Sequence, residues 1–385
     1  WIDAFFAVLI DGTKAFLGDN QLSAVIADGA IAGVGAVILF LPNIIILFLG
    51  IALLETTGYM SRVAFLLDGF FHRFGLHGKS FIPLVSGFGC SVPAYMAART
   101  LKNDRDRLLT LFIIGFMSCG ARLPVYVLFV GAFFAEEQAG NVLFAIYISG
   151  ALIGIVAAKV LKMTAFKGDD EPFVMEMPKY RLPSAKLVYH TVSGKAFMYL
   201  KKAGTYILLA SVLIWFASNY PLQTEMDSVY QVKIEQAADN EEQITVLNNE
   251  LALYKLENSY LGKLGHFSEP FFAPLGYDWR MAVALETGLA AKEIVVATLG
   301  ILYGLGEEED EQSTALVDKI KTNISFPAAV SFIIFMMIYL PCLAASMVFM
   351  REAGGWKYLG YLFVFTTATA WILAFAGFHL TRIMV

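Results

Sequence analysis

Long apolar runs dominate the hydrophobic pattern of this chain, and most of them are long enough for a helix to cross a lipid bilayer. A helical span needs about 20 predominantly apolar residues. The pattern predicts eight spans, at residues 31–54, 81–98, 108–134, 141–161, 196–217, 281–303, 326–350 and 356–378. We therefore expect an all-α, polytopic membrane helix bundle of about eight spans.

Two further segments are apolar on one side only. Residues 1–17 predict an amphipathic helix at the membrane interface, and residues 59–74 predict a helix at the interface or against the bundle. The predicted organisation is a lead-in helix at 1–20, a first membrane half at 21–217, an extracytoplasmic helical insertion at 218–280 and a second membrane half at 281–385.

Loop charges predict the orientation. The turn 99–107 and the linker 162–202 are basic and should lie in the cytoplasm by the positive-inside rule. The stretch 218–280 is acidic, and we expect it outside, with helix between 227 and 256. Eight spans then place both termini in the cytoplasm, with the acidic run 307–311 in a cytoplasmic loop.

Composition agrees with a membrane protein. The chain of 385 residues is 58% hydrophobic and only 16% charged, whereas soluble domains carry about 25% charged residues. No HExxH, GxSxG or paired-carboxylate pattern is present, so we expect no enzyme active site. We also expect no bound cofactor, no nucleic-acid partner and the lipid bilayer as the surroundings.

Three predicted spans are interrupted by Gly or Pro, and each interruption carries one of the three cysteines: Cys90, Cys119 and Cys342. Broken helices occur in membranes where protein or a water-filled cavity satisfies the freed backbone groups. A thiol near a half-helix N-terminus is favoured as thiolate, which binds soft or borderline metals such as iron. The alternative is that each cysteine is a small packing residue.

Ionisable residues within the spans are the remaining candidates, because such residues are costly and usually functional. Arg122 follows Cys119 by three residues, and Glu286, Lys292 and Glu293 lie in the sixth span. The spacing of Glu286 and Glu293 places both on one helix face, which predicts a carboxylate cation site, with Lys292 paired to a neighbouring acid and Arg122 tuning or gating the site. The alternative is a buried ion-pair network.

Glu55 closes the first span and is a candidate ligand at the mouth of the path, although a capping role is the alternative. The five histidines have no metal-ligand spacing.

A weak internal similarity relates the two halves. SGFGCSVPAYMAARTL from Ser86 resembles TGLAAKEIVVATLGIL from Thr287, and FIIGFMSCGARLP from Phe112 resembles FIIFMMIYLPCLA from Phe332. Two related pairs of broken helices are typical of transporters built from repeats.

Several motifs resemble, in the same order, the membrane region of the FeoB family of bacterial ferrous iron transporters. They are LLETTGYMSR from Leu53, GKSFIPL from Gly78, GFGCSVP from Gly87, FMSCGARL from Phe116, FAPLG from Phe272, DWR from Asp278 and AKE from Ala291. The resemblance runs from about residue 21 to beyond residue 350.

The resemblance implies an inner-membrane importer of Fe²⁺ with two gate repeats, whose cysteines line the path at Cys90, Cys119 and Cys342. It also implies an upstream cytoplasmic domain that binds GTP and Mg²⁺. Small cytoplasmic accessory Feo proteins are expected as partners, and a homo-oligomer is a candidate assembly. Two other hypotheses stay open: a transporter of an anionic solute or nucleoside that uses Arg122 and Lys292, and a membrane scaffold that binds a partner through the linker 162–202.

Overall fold

The computed structural model describes residues 2–18, 20–166, 179–221, 224–236, 241–306 and 313–384. Within these ranges the chain forms α-helices joined by short 3-10 and π-helical turns, and no strand is present. The acidic run 307–311 lies outside the described residues. The prediction of an all-α fold is confirmed.

The described residues contain twenty α-helices, several of them halves of interrupted spans. They are α1 (Ile2–Leu17), α2 (Gln21–Ala24), α3 (Ala32–Thr56), α4 (Tyr59–His72), α5 (Phe81–Gly89), α6 (Ser91–Ala97), α7 (Asp104–Ile114), α8 (Leu123–Phe133), α9 (Glu136–Thr164), α10 (Ala185–Tyr199), α11 (Thr205–Asn219), α12 (Thr224–Gln236), α13 (Glu241–Asn258), α14 (Tyr260–Phe272), α15 (Trp279–Ala290), α16 (Ile294–Leu302), α17 (Thr314–Asn323), α18 (Phe326–Ile338), α19 (Leu343–Ala353) and α20 (Trp356–Met384).

Four helical stretches among the described residues are long and apolar enough to cross a bilayer: Val25–Thr56, Glu136–Thr164, Phe326–Ala353 and Trp356–Met384. Other predicted spans are assembled from shorter helices, such as α5 with α6 and α7 with α8. Together they form a membrane helix bundle. Gly58 separates α3 from α4 in a left-handed conformation (φ 78°), which a residue without Cβ adopts at little cost.

The first repeated element is a pair of short helices joined at an extended residue. Cys90 has φ −155° and ψ 133° between α5 and α6, and Ala291 has φ −148° and ψ 126° after α15, before α16 begins at Ile294. The alignment of Ser86 with Thr287 places Cys90 opposite Ala291. The two backbones therefore break at the same position of the repeat, which supports the internal similarity.

The second repeated element is a longer interruption. α7 ends at Ile114, and the chain stays non-helical to Cys119 before a 3-10 turn leads into α8. In the other half α18 ends at Ile338, and four residues ending at Cys342 precede α19. Pro341 contributes here, because proline lacks an N–H and disfavours helix in the residue before it.

The two halves meet in an aromatic core. Phe129 stacks on Phe332 with ring centroids 4.7 Å apart, and Phe112 meets Phe349 edge to face at 5.4 Å. All four side chains are buried, and aromatic pairs of this kind add stabilisation beyond their buried area. This packing holds the interrupted helices of one half against those of the other.

Two sequence predictions need correction. The sixth span is broken after Ala290, because Ala291 is extended, so 281–303 is not one helix. The basic segment 162–202 is only in part a linker, since α10 begins at Ala185 and runs through a π-helical turn into α11. In the described part of the stretch 227–256, the expected helix is present as α12 and α13, and residues 237–240 lie outside the described residues.

Candidate substrate site at the helix breaks

In chain order, the first helix break lies at Cys90, the second at 115–122, the third at 291–293 and the fourth at 339–342. All four open onto one cavity of about 1020 Å³. Its wall includes Gly89 to Val92, Cys119 to Arg122, Ala290 to Ile294, and Pro341 with Cys342. The rest of the wall comes mainly from α3, α11, α16 and the end of α13. The cavity supplies the enclosed space in which interrupted backbone is tolerated at membrane depth.

The three cysteines are half-buried free thiols, and all three line this cavity. Cys90 precedes α6, Cys119 precedes the 3-10 turn before α8, and Cys342 precedes α19, so each occupies the N-cap position of the following helical segment. The thiols of Cys90, Cys119 and Cys342 lie within electrostatic range of one another. The predicted coincidence of cysteines with helix breaks is thus also a coincidence in space.

Oxygen donors also line the cavity, among them Asp28, Asn43 and Glu293. Glu293 is half-buried in the third break, and Asn43 follows Pro42 in the middle of α3. A carboxylate and an amide oxygen beside thiols form a mixed set of hard and soft donors, which suits borderline divalent metals.

No group of three or more His, Cys, Asp or Glu side chains among the described residues is arranged tightly enough to hold a metal ion. The donors surround a space and do not form a closed cage. A transported ion must bind weakly enough to leave again, so open placement is compatible with passage.

Glu286 and Glu55 lie apart from this cavity wall. Glu286 accepts a hydrogen bond of 2.8 Å from Ser268 on α14, and the break at Ala291 removes the shared helix face predicted for Glu286 and Glu293. Glu55 forms an ion pair of 3.3 Å with Lys195 at the end of α3. Neither carboxylate is among the residues that line the cavity.

Arg122 fastens two helix ends in the cavity wall. Its guanidinium donates to the carbonyl of Met337 at 2.6 Å, to that of Gly115 at 3.2 Å and, more weakly, to that of Tyr339 at 3.5 Å. These carbonyls lie at the C-terminal ends of α7 and α18, where four C=O groups lack partners within the helix. Arg122 therefore satisfies backbone groups that both breaks leave free.

Lys292 lies in the third break with its side chain only 1% exposed. Its ammonium nitrogen is 3.0 Å from the centroid of the Tyr339 ring. Its nitrogen has no hydrogen-bond partner among the described residues. The pairing of Lys292 with a neighbouring acid stays a prediction, and Lys292 links the third break to the fourth through an aromatic face.

Sequence reasoning missed Asn43 and the third break. Asn43 is the one amide side chain within the run 31–54 and follows a helix-interior proline, so a signal was present. The third break contains neither Gly nor Pro between Ala290 and Ile294. Only the internal repeat, which aligns Cys90 with Ala291, indicates it.

Comparison with known proteins identifies related chains. The family model described as the gate, for nucleoside recognition, matches residues 37–133 and 200–356. The model for the C terminus of ferrous iron transport protein B matches residues 143–195. No solved structure matches the chain significantly.

Among curated proteins, an Fe(2+) transporter FeoB of Campylobacter jejuni is 58% identical over 385 residues, covering 100% of this chain and 60% of the relative. A Helicobacter pylori Fe(2+) transporter FeoB is 52% identical over 99% of this chain and 60% of its own length. A fusion of Fe(2+) transport protein A with Fe(2+) transporter FeoB from Porphyromonas gingivalis is 43% identical over 97% of this chain and 46% of the fusion.

The fold and the interrupted helices define a polytopic membrane protein of the gate class, and the gate model covers most of the chain. Both family models and the identities above then place it more narrowly. The chain belongs to the FeoB family and corresponds to its membrane part. It spans about 60% of the length of the first two relatives.

Proposed function

We propose that this chain is the membrane path of a ferrous iron importer and that Fe²⁺ passes through the cavity at the four helix breaks. The observation that carries this proposal is the convergence of Cys90, Cys119, Cys342 and Glu293 on one cavity. Several relatives at high identity are named Fe(2+) transporters. The thiols supply affinity for a borderline metal, and their open arrangement keeps that affinity weak.

The helix breaks set the positions of the thiols along this path. Each cysteine stands at the N-cap position of a helical segment in the cavity wall. A thiol that binds Fe²⁺ gives up its proton to water, and it takes a proton back when the metal leaves. Glu293 supplies a carboxylate oxygen in the same wall.

We further propose control by an upstream cytoplasmic domain that binds GTP and Mg²⁺. The relatives exceed this chain in length, which leaves room for such a domain. The fused relative whose name joins transport protein A to FeoB supports association with a small accessory Feo protein. We place the chain in the bacterial inner membrane with both termini in the cytoplasm, as the basic loops predict. Assembly into homo-oligomers remains an expectation.

The anion-transport hypothesis receives less support from the geometry. The guanidinium of Arg122 donates its N–H groups to backbone carbonyls, and the Lys292 ammonium is buried against Tyr339. Both side chains are only 1% exposed, so they present little surface to a solute in the cavity in this conformation.

The test is Fe²⁺ flux into proteoliposomes under anaerobic, reducing conditions. We compare the parent with a variant that combines Cys90→Ser, Cys119→Ser and Cys342→Ser. Ala121→Ser is the matched control, because it places a hydroxyl in the same cavity wall and leaves every thiol intact. We expect the control to conduct and the triple variant to lose most Fe²⁺ flux. Equal flux through a folded triple variant would show that the cysteines only pack.

A further inference from the structure

Arg122 places a permanent positive charge in the wall of a cavity that we propose for a cation. Its side chain is 1% exposed, and it follows Cys119 by three residues in the second break. A guanidinium remains protonated throughout the physiological pH range. A charge in this place acts on every ion that enters the cavity. The groups that contact the guanidinium determine how strongly it acts.

The partners of Arg122 are dipoles and not ions. Its hydrogen bonds go to the backbone carbonyls of Met337, Gly115 and Tyr339, and its Nε has no partner. No carboxylate among the described residues forms an ion pair with it. Carbonyls at helix C-termini carry partial negative charge that stabilises the guanidinium. They leave its net charge in place, however, because a dipole carries none.

A fixed positive charge in the wall repels Mg²⁺, Mn²⁺ and Fe²⁺ equally, because the three ions have the same charge. The thiols favour only some of them, since sulfur ligands select softer metals whereas Mg²⁺, Ca²⁺ and Mn²⁺ prefer oxygen and water. Resting on the proposed function, we propose that Arg122 is a specificity-determining residue that excludes hard divalent cations from the cavity. Only an ion that gains enough from Cys90, Cys119 and Cys342 overcomes the repulsion.

This role requires no direct contact between Arg122 and the ion. Coulomb repulsion acts over several ångströms in a partly hydrated cavity, although it weakens with water and salt. The geometry separates two tasks in one side chain: the N–H groups hold the helix ends together, and the charge discriminates among ions. Substitutions can separate these tasks.

The test measures equilibrium binding of Mn²⁺, a hard divalent ion visible by electron paramagnetic resonance, and of Fe²⁺ to the purified chain in lipid nanodiscs. Arg122→Gln removes the charge, and Arg122→Lys keeps a charge but loses the planar fork. Arg351→Gln is the matched control, since Arg351 is exposed and its guanidinium contacts Tyr206 outside the cavity wall. We expect Arg122→Gln to gain at least about tenfold in Mn²⁺ affinity, the scale of a unit charge acting on a divalent ion about 10 Å away.

The parent, Arg122→Lys and Arg351→Gln should all bind Mn²⁺ equally poorly. Mn²⁺ affinity that is unchanged in Arg122→Gln, or raised as much in Arg122→Lys, would overturn the inference. Failure of the parent to bind Fe²⁺ would instead count against the proposed function, while the Mn²⁺ comparison still decides the role of the charge.

A second pair of variants leaves the Arg122 hydrogen bonds intact and remains informative if Arg122→Gln does not fold. Ala297 lines the same cavity from α16. Ala297→Lys adds a further positive charge to the wall, and Ala297→Gln adds a similar volume without charge. We expect weaker divalent-ion binding by Ala297→Lys than by Ala297→Gln. Equal binding by these two variants would show that the cavity is insensitive to wall charge and would refute the inference.

Discussion

Replacement of Gly288 by alanine tests the packing of the third break against the fourth. An added Cβ at Gly288 would lie 2.6 Å from the hydroxyl oxygen of Tyr339 and 2.7 Å from Cγ2 of Val295. Both separations are far inside van der Waals contact, so the neighbours must move. Gly288 also aligns with Gly87 in the internal repeat, which provides a natural comparison.

The expected cost follows from what restrains Tyr339. This side chain is 3% exposed, its hydroxyl donates to the carbonyl of Leu285 at 3.4 Å, and its ring carries the Lys292 ammonium. Overpacking in such a site costs about 1–3 kcal/mol. The gain in helix propensity from Gly to Ala offsets about 1 kcal/mol. We expect Gly288→Ala to destabilise the chain by up to about 2 kcal/mol.

Two glycine variants serve as controls. A Cβ at Gly87 would lie 3.1 Å from Cβ and 3.3 Å from Cγ of Met117, an adaptable side chain, so the gain and the cost should nearly cancel. A Cβ at Gly50, inside α3, would meet nothing within 4 Å, and only the gain remains. The assay is the thermal unfolding midpoint in one lipid-nanodisc preparation. The expected order of midpoints is Gly50→Ala highest, then Gly87→Ala, then Gly288→Ala. A midpoint for Gly288→Ala as high as that of Gly50→Ala would refute the reasoning.

Three further predictions follow from the site and from the contact between the halves. Glu293→Gln should lower Fe²⁺ uptake by about tenfold or more, the scale of lost metal-site interactions, whereas Glu286→Gln should leave uptake unchanged; equal effects would contradict the assignment. Tyr339→Leu should cost about 2 kcal/mol of stability through loss of the buried cation–π contact, and Tyr339→Phe should cost less in the same unfolding assay because it keeps the ring. Glu352→Gln removes the two-point ion pair with Arg99, in which Arg99 Nε lies 2.7 Å from Glu352 Oε2. The loss should cost about 1 kcal/mol of stability in low salt, and an equal loss in high salt would contradict an electrostatic origin.

Apolar run length and helix-breaking residues were sufficient to predict most of the fold. The breaks at Cys90, Cys119 and Cys342 carry their own local signals, because glycine and proline weaken helix wherever they stand. The break at Ala291 has no such signal, since Ala290, Ala291, Lys292 and Glu293 are all compatible with helix. This break lies where Gly288 packs closely against Val295 and Tyr339.

The candidate site was predictable only in part, because the break at Ala291 has no local sequence signal. Glu286 and Glu293 share a helix face only if the helix is continuous, so missing one break separated the predicted pair. The partners of Arg122 and Lys292 could not be read from spacing, because they are backbone carbonyls and an aromatic face distant in sequence. The sequence identifies an intramembrane charge, whereas only the fold identifies its partners.

The thiols and the arginine have a common physical origin in the broken helices. A break opens space for an ion and places Cys119 at the start of a helical segment, but it also leaves carbonyls of α7 and α18 without donors. Water alone would make that wall flexible, and arginine supplies several donors from one rigid group. Its charge then disfavours every cation in the cavity, so an ion must gain enough from coordination to enter. Sulfur supplies that gain for a borderline metal and not for Mg²⁺. The broken helices therefore underlie both the stabilising contacts of Arg122 and the proposed choice of substrate.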